Sequence, residues 1–110
     1  MIQLTVLYGQ PQDSAAFDRH YQQTHVPLAL KIPGLKGFVG NKSASLNPQE
    51  PSPYYFIVEL YYEDMAAFQA ALQSPEGQAA IGDFQNFATG GATQVVGEVQ
   101  VYQPASLTIM

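Results

Sequence analysis

The chain has 110 residues, nine acidic against four basic, giving a net charge of −5, and it has no cysteine. That balance argues against a nucleic-acid partner, because phosphate neutralisation needs clustered Lys and Arg, and the missing thiols exclude disulfides, thiolate metal sites and cysteine nucleophiles. Charged residues make up only 12% and apolar ones 46%, more apolar surface than so short a chain can hide in its own interior, so a second copy is expected to cover part of it.

Residues Ile2–Tyr8 (IQLTVLY) alternate as a strand, with Ile2, Leu4, Val6 and Tyr8 on one face and Gln3, Thr5 and Leu7 on the other. No basic leader precedes this pattern and no apolar run reaches membrane-spanning length. The expectation is one cytoplasmic domain over residues 1–110, without signal segment or membrane partner. Asp13 can accept from the first free amides of a helix running from Ser14 toward Thr24. Its apolar face carries Phe17 and Tyr21 and continues to His25 and Leu28. Pro27 lacks an amide hydrogen and crowds the preceding turn, which predicts a kink or restart near His25. Pro33-Gly34 ends the segment.

Leu35–Leu46 reads as a second, irregular strand and Asn47–Pro53 as an exposed proline-rich loop. Tyr54–Tyr62 (YYFIVELYY) is the strongest strand, apolar on both faces apart from Glu59. Asp64 opens a short helix with Met65, Phe68 and Leu72 directed inward. Ser74-Pro75 starts another, with serine as cap and proline at the first helical position. That helix brings Ala80, Phe84 and Phe87 to one side and ends at Gly90-Gly91. Thr93–Tyr102 is the last strand, and Pro104–Met110 is an apolar tail.

The order β-α-β-β-α-β, with the second helix split in two, predicts an α+β, ferredoxin-like domain: four antiparallel strands with the helices on one face. The other sheet face then lies bare. Since Tyr54–Tyr62 is apolar on both sides, two sheets packed face to face would form a barrel across a two-fold axis, a dimeric α/β barrel, with the tail reaching over the partner.

His25 carries the best prospect of chemistry, because imidazole alone trades protons near neutral pH without perturbation. Turned inward, it is either a hydrogen-bonded core residue or a general acid/base in a pocket, and the residues leave both open. His20, on the opposite flank of the helix, is expected to be exposed. The two histidines are five apart, so an α-helix does not place them on one face as a metal-binding pair, and no metal site is expected. Tyr21, Tyr55 and Tyr61 could donate to a ligand oxygen, although aromatics at such positions usually pack as core or interface. Glu59 is expected to pair across the dimer or to face water. No phosphate loop, dinucleotide fingerprint or Ser/His/Asp arrangement is present, so no cofactor is expected.

Tyr8, Pro11, Asp13, Phe17, Tyr21, His25, Pro27, Leu28 and Pro33-Gly34-Leu35, followed by Ser74-Pro75-Glu76-Gly77 and Phe87-Ala88-Thr89-Gly90-Gly91, resemble the EthD family of ethyl tert-butyl ether degradation proteins. The resemblance covers nearly the whole chain and implies the dimeric α/β-barrel fold. His25 matches the family's helix histidine and Tyr21 falls one turn before it. At the position before Tyr21, where many members carry an aromatic, this chain has His20.

Two functions are expected from this combination. In the first, a homodimer binds a small apolar or aromatic molecule between helices and sheet. His25 moves a proton, Tyr21 orients it or binds the ligand oxygen, and Phe17, Leu28, Phe84 and Phe87 form apolar walls. The reaction class stays open among cofactor-free isomerisation, cyclisation, decarboxylation and oxygenation. In the second, a non-catalytic carrier delivers a hydrophobic intermediate to a partner oxidoreductase during degradation of an ether or aromatic compound.

Overall fold

The computed structural model describes residues 1–104; most of the apolar tail therefore lies outside the described residues. Strand β1 (Ile2–Gly9) leads into helix α1 (Ser14–His20), a π turn (Tyr21–His25) and helix α2 (Val26–Leu30). Strands β2 (Gly37–Lys42) and β3 (Tyr54–Tyr62) follow, then helices α3 (Met65–Gln73) and α4 (Pro75–Phe87) and strand β4 (Ala92–Glu98). The outer two strands are shorter than their sequence patterns suggest, while β3 has the expected bounds. The strands form one antiparallel sheet in the order β2-β3-β1-β4, the ferredoxin-like arrangement.

The caps act as their chemistry requires. Asp13 accepts from the Ala16 amide at 3.1 Å, Asp64 from Ala67 at 2.8 Å and Ser74 Oγ from Gly77 at 3.0 Å. Gly34 and Gly91 occupy the left-handed region, with φ of 79° and 91°, where the two expected turns need a residue without Cβ.

Pro27 has a larger effect than a simple kink. In an α turn its ring would meet the Gln23 carbonyl. The chain instead widens by one residue per turn over Tyr21–His25, and the Val26 amide donates to the Tyr21 carbonyl, five residues back.

Register puts Val6 opposite Val58 and Gln94, so Ile2, Val6, Tyr8, Val58, Leu60 and Tyr62 form the helix-facing side and are all buried. Phe17, Tyr21, Phe68, Ala71 and Phe87 pack against them from the helices. Met65 was expected inward, but it is 41% exposed. The buried stripe of α3 runs through Phe68 and Ala71 because Ala71 abuts the start of α4 at Gly77. Leu7, Ile57, Glu59, Tyr61 and Val95 follow the opposite parity and lie on the open sheet face. Tyr55 sits at an irregularity where Gly9 pairs with Tyr54. There it swings toward α1, and its hydroxyl donates to Asp18 Oδ1 at 2.8 Å. Among the described residues, no helix is long and apolar enough to cross a membrane.

Candidate active site

His25 ends the π turn with only 5% of its surface exposed. Its ring packs against Phe84 and Phe87, with centroids at 5.3 and 4.8 Å, and lies 5.2 Å from Tyr21. Nδ1 lies 3.0 Å from Oδ2 of Asp83, which is also 5% exposed, on α4. An ionised carboxylate can only accept, so Nδ1 carries the proton and Nε2 keeps its lone pair. Among the described residues Nε2 has no hydrogen-bond partner. Burial holds the imidazole below its ordinary value, against the opposing pull of the Asp83 hydrogen bond and charge. At neutral pH His25 is therefore an uncharged base with a fixed tautomer.

Asp83 is the centre of the arrangement. Burial by itself would raise its pKa, but hydrogen bonds from Asn86, His20 and His25 together hold the carboxyl below its ordinary value. Asn86 Nδ2 donates to Oδ1 at 2.9 Å. His20 Nε2 donates across both oxygens, at 2.8 and 3.0 Å, while its ring stacks on Phe87 at 5.3 Å. His20 was expected to be exposed and to face away from His25. Instead its side chain is 28% exposed and shares the carboxylate. The wider turn is the reason, since closure from i to i+5 makes residues five apart near-neighbours on one face.

Sequence reasoning missed Asp83 and Asn86. A signal was present: Asp83 falls three residues after Ala80 and four before Phe87, inside the inward stripe of α4. A lone carboxylate at such a position needs a partner.

His25 and Tyr21 line a cavity of about 50 Å³ between helices and sheet, with Tyr8, Val58, Leu60 and Phe84 among its other walls. The Tyr21 hydroxyl is buried and, among the described residues, has no hydrogen-bond partner. Tyr8 is close enough to interact with it electrostatically, yet the pair does not meet hydrogen-bond geometry. Burial raises both phenols well above the ordinary tyrosine range, so both remain protonated donors.

Of the expected apolar walls, only Phe84 borders this cavity. Phe87 backs the two imidazoles from the core. Phe17 lines a separate depression with Gln22, Lys42 and Phe56, and Leu28 faces another beside Pro75 and Ala79. Tyr61 and Glu59 lie on the open sheet face, where Glu59 accepts from Gln3 at 3.0 Å and from Tyr61 at 3.3 Å. Among the described residues no group of three His, Cys, Asp or Glu side chains is placed to hold a metal ion.

The chain matches the EthD domain over residues 9–91. An uncharacterized 11.0 kDa protein from the thcB–thcC intergenic region of Rhodococcus erythropolis is 42% identical over 104 residues, covering 94% of this chain and all of that one. The crystal structure of an ethyl tert-butyl ether degradation (EthD) family protein from Bacillus halodurans is 39% identical and superposes with a TM-score of 0.84, over 91% of this chain and 99% of that one. Two more distant structures share the fold. One is a dimeric ferredoxin-like protein of unknown function from Thermobifida fusca, with a TM-score of 0.67, 17% identity, and 89% and 90% of the two chains covered. The other is SnoaB, a cofactor-independent oxygenase from Streptomyces nogalater, with a TM-score of 0.67, 13% identity, and 94% and 97% covered. With its domain matched from the end of the first strand to the Gly90-Gly91 turn and its fold shared with a solved member, the chain belongs to the EthD family.

Proposed function

We propose that the protein is a homodimer that binds a small apolar or aromatic ketone or phenol beside His25 and moves a proton on it without a cofactor. The observation that carries this reading is the pairing of Asp83 with His25 at the wall of an apolar cavity. The carboxylate holds Nδ1–H, Nε2 is left as the base, and a protonated Tyr21 hydroxyl without a partner stands in the same wall. A base that takes a proton alpha to a carbonyl needs a donor for the enolate oxygen that forms, and Tyr21 supplies one. The cofactor-independent oxygenase with this fold supports a reaction that needs no cofactor.

The cavity is smaller than the roughly 150 Å³ that admits benzene. An aromatic ligand therefore displaces rim side chains, of which Ile81 is already 38% exposed. The homodimer reading is supported by the apolar parity of the open sheet face and by the dimeric ferredoxin-like relative.

The test uses 2-tetralone, an enolisable aromatic ketone, in heavy water, with loss of its alpha-proton signal followed by NMR. Wild type is expected to accelerate exchange and His25→Gln to lose a factor of about 10² or more, with Asp83→Asn intermediate. Equal exchange by wild type and a folded His25→Gln overturns the proposal. Tetralone binding by both with acceleration by neither supports the second reading, a carrier that hands a hydrophobic intermediate to an oxidoreductase. The almost wholly apolar cavity lining favours that reading as the alternative.

A further inference from the structure

Asp83 supplies one negative charge to two imidazoles. His25 reaches Oδ2 at 3.0 Å, and His20 reaches Oδ1 at 2.8 Å and the same Oδ2 at 3.0 Å. The rings differ in their access to water: the side chain of His20 is 28% exposed and that of His25 only 6%. A positive charge on His20, the ring more open to water, would rest directly against Asp83. Asp83 is then already balanced. A second positive charge on His25 would sit among Phe84, Phe87 and Tyr21 with no counter-charge left to it.

We infer that His20 governs the charge state of His25 through the single carboxylate that both rings share. His20 is thus a positioning residue for the proposed proton transfer. Once charged, it keeps His25 neutral, with a free Nε2, further into acid than Asp83 alone would allow.

Among the described residues no other group near His25 accounts for the same effect. His25 is faced by Tyr21 from its own turn, Tyr8 from β1, and Asp83 with the uncharged Asn86 from α4. Tyr62 of β3 borders the same cavity. Burial raises all three phenols, so they do not change charge in the range where the imidazoles titrate. Asp83 is already ionised there. His20 is the remaining variable.

The inference rests on the reading of His25 as a base, but its test needs no reaction. Full-length protein labelled at histidine with ¹³C and ¹⁵N is titrated by NMR, and both rings are followed from neutral into acid. Wild type is expected to show two coupled steps. His20→Gln keeps a neutral donor for Asp83, leaves a single step, and moves the His25 midpoint up by about one pH unit. His20→Lys, with a permanent charge, moves it down. In an Asp83→Asn background, His20→Gln has little further effect.

An unchanged His25 midpoint in His20→Gln overturns the inference, as does a shift that persists undiminished beside Asp83→Asn. A purely structural role for His20 would lower the urea midpoint and leave the His25 titration in place. If His20→Gln does not fold, the direction of the His20→Lys shift decides. Failure of 2-tetralone exchange would remove the catalytic reading and leave this titration unaffected, so the two failures are distinguishable.

Discussion

Oδ2 of Asp83 lies 3.0 Å from Nδ1 of His25, and both residues are 95% shielded from water although 58 positions separate them in the chain. That hydrogen bond fixes the tautomer of the imidazole, with the proton on Nδ1 and the lone pair on Nε2. It also makes stability depend on pH. Folded His25 titrates below its ordinary 6.5 because burial disfavours the imidazolium. Below pH 6.5 the unfolded chain therefore binds more protons than the folded one, and stability falls as pH drops toward the folded value. Asp83 adds a second loss in the same direction. Its folded carboxyl titrates below 3.8, so its contribution is present above that pH and lost as pH falls past it. Urea midpoints measured at a series of pH values are expected to decline from 6.5 downward, and His25→Gln to flatten the upper part of the decline.

The Tyr21 hydroxyl is buried without a partner, a group held against the interests of stability. Tyr21→Phe is expected to stabilise the fold by about 1 kcal/mol in urea denaturation while weakening 2-tetralone binding in calorimetry. A loss of stability would show that the hydroxyl is satisfied after all.

Gly77 explains the last residue of the Ser-Pro-Glu-Gly motif. A Cβ there would run into the Ala71 carbonyl, which already accepts from Ser74 Oγ at 2.6 Å. Backbone atoms cannot move aside as a side chain can. Gly77→Ala is expected to cost about 2 kcal/mol or more, against about 1 kcal/mol for Ser74→Ala, which removes the cap and the hydroxyl's bond to Ala71 without a steric clash. Denaturation midpoints of the two variants provide the comparison.

The open sheet face presents Leu7, Ile57 and Val95 on adjacent strands. Light scattering is expected to give the mass of two 12.0 kDa chains for wild type and of one for Ile57→Glu, with circular dichroism unchanged. Buried like charges brought together across a two-fold axis would oppose association. A wild-type monomer would contradict the dimer.

Much of the architecture was legible in the residues because its causes are local. Alternation set β1, a β-branched and aromatic run apolar on both faces set the bounds of β3, and Asp13, Asp64 and Ser74 accept from the amides their positions indicated. Pro27 announced a break near His25, and the apolar stripe through Phe17 and Tyr21 indicated that this histidine turns inward. All of these depend on neighbours within a few positions along the backbone.

The site itself was decided by packing between α4 and the first helical segment. Period-3.6 reasoning separates residues 20 and 25, whereas the π turn beside Pro27 brings both rings onto Asp83. Phe84 rather than Phe17 or Leu28 meets the cavity because helix positions on the sheet, which no single segment encodes, determine which apolar side chains border the space between them. The sequence by itself determined the strands, the caps and an inward histidine. Only the tertiary structure supplied its carboxylate and the second imidazole, since a hydrogen bond across 58 residues exists only once two separately formed helices have docked.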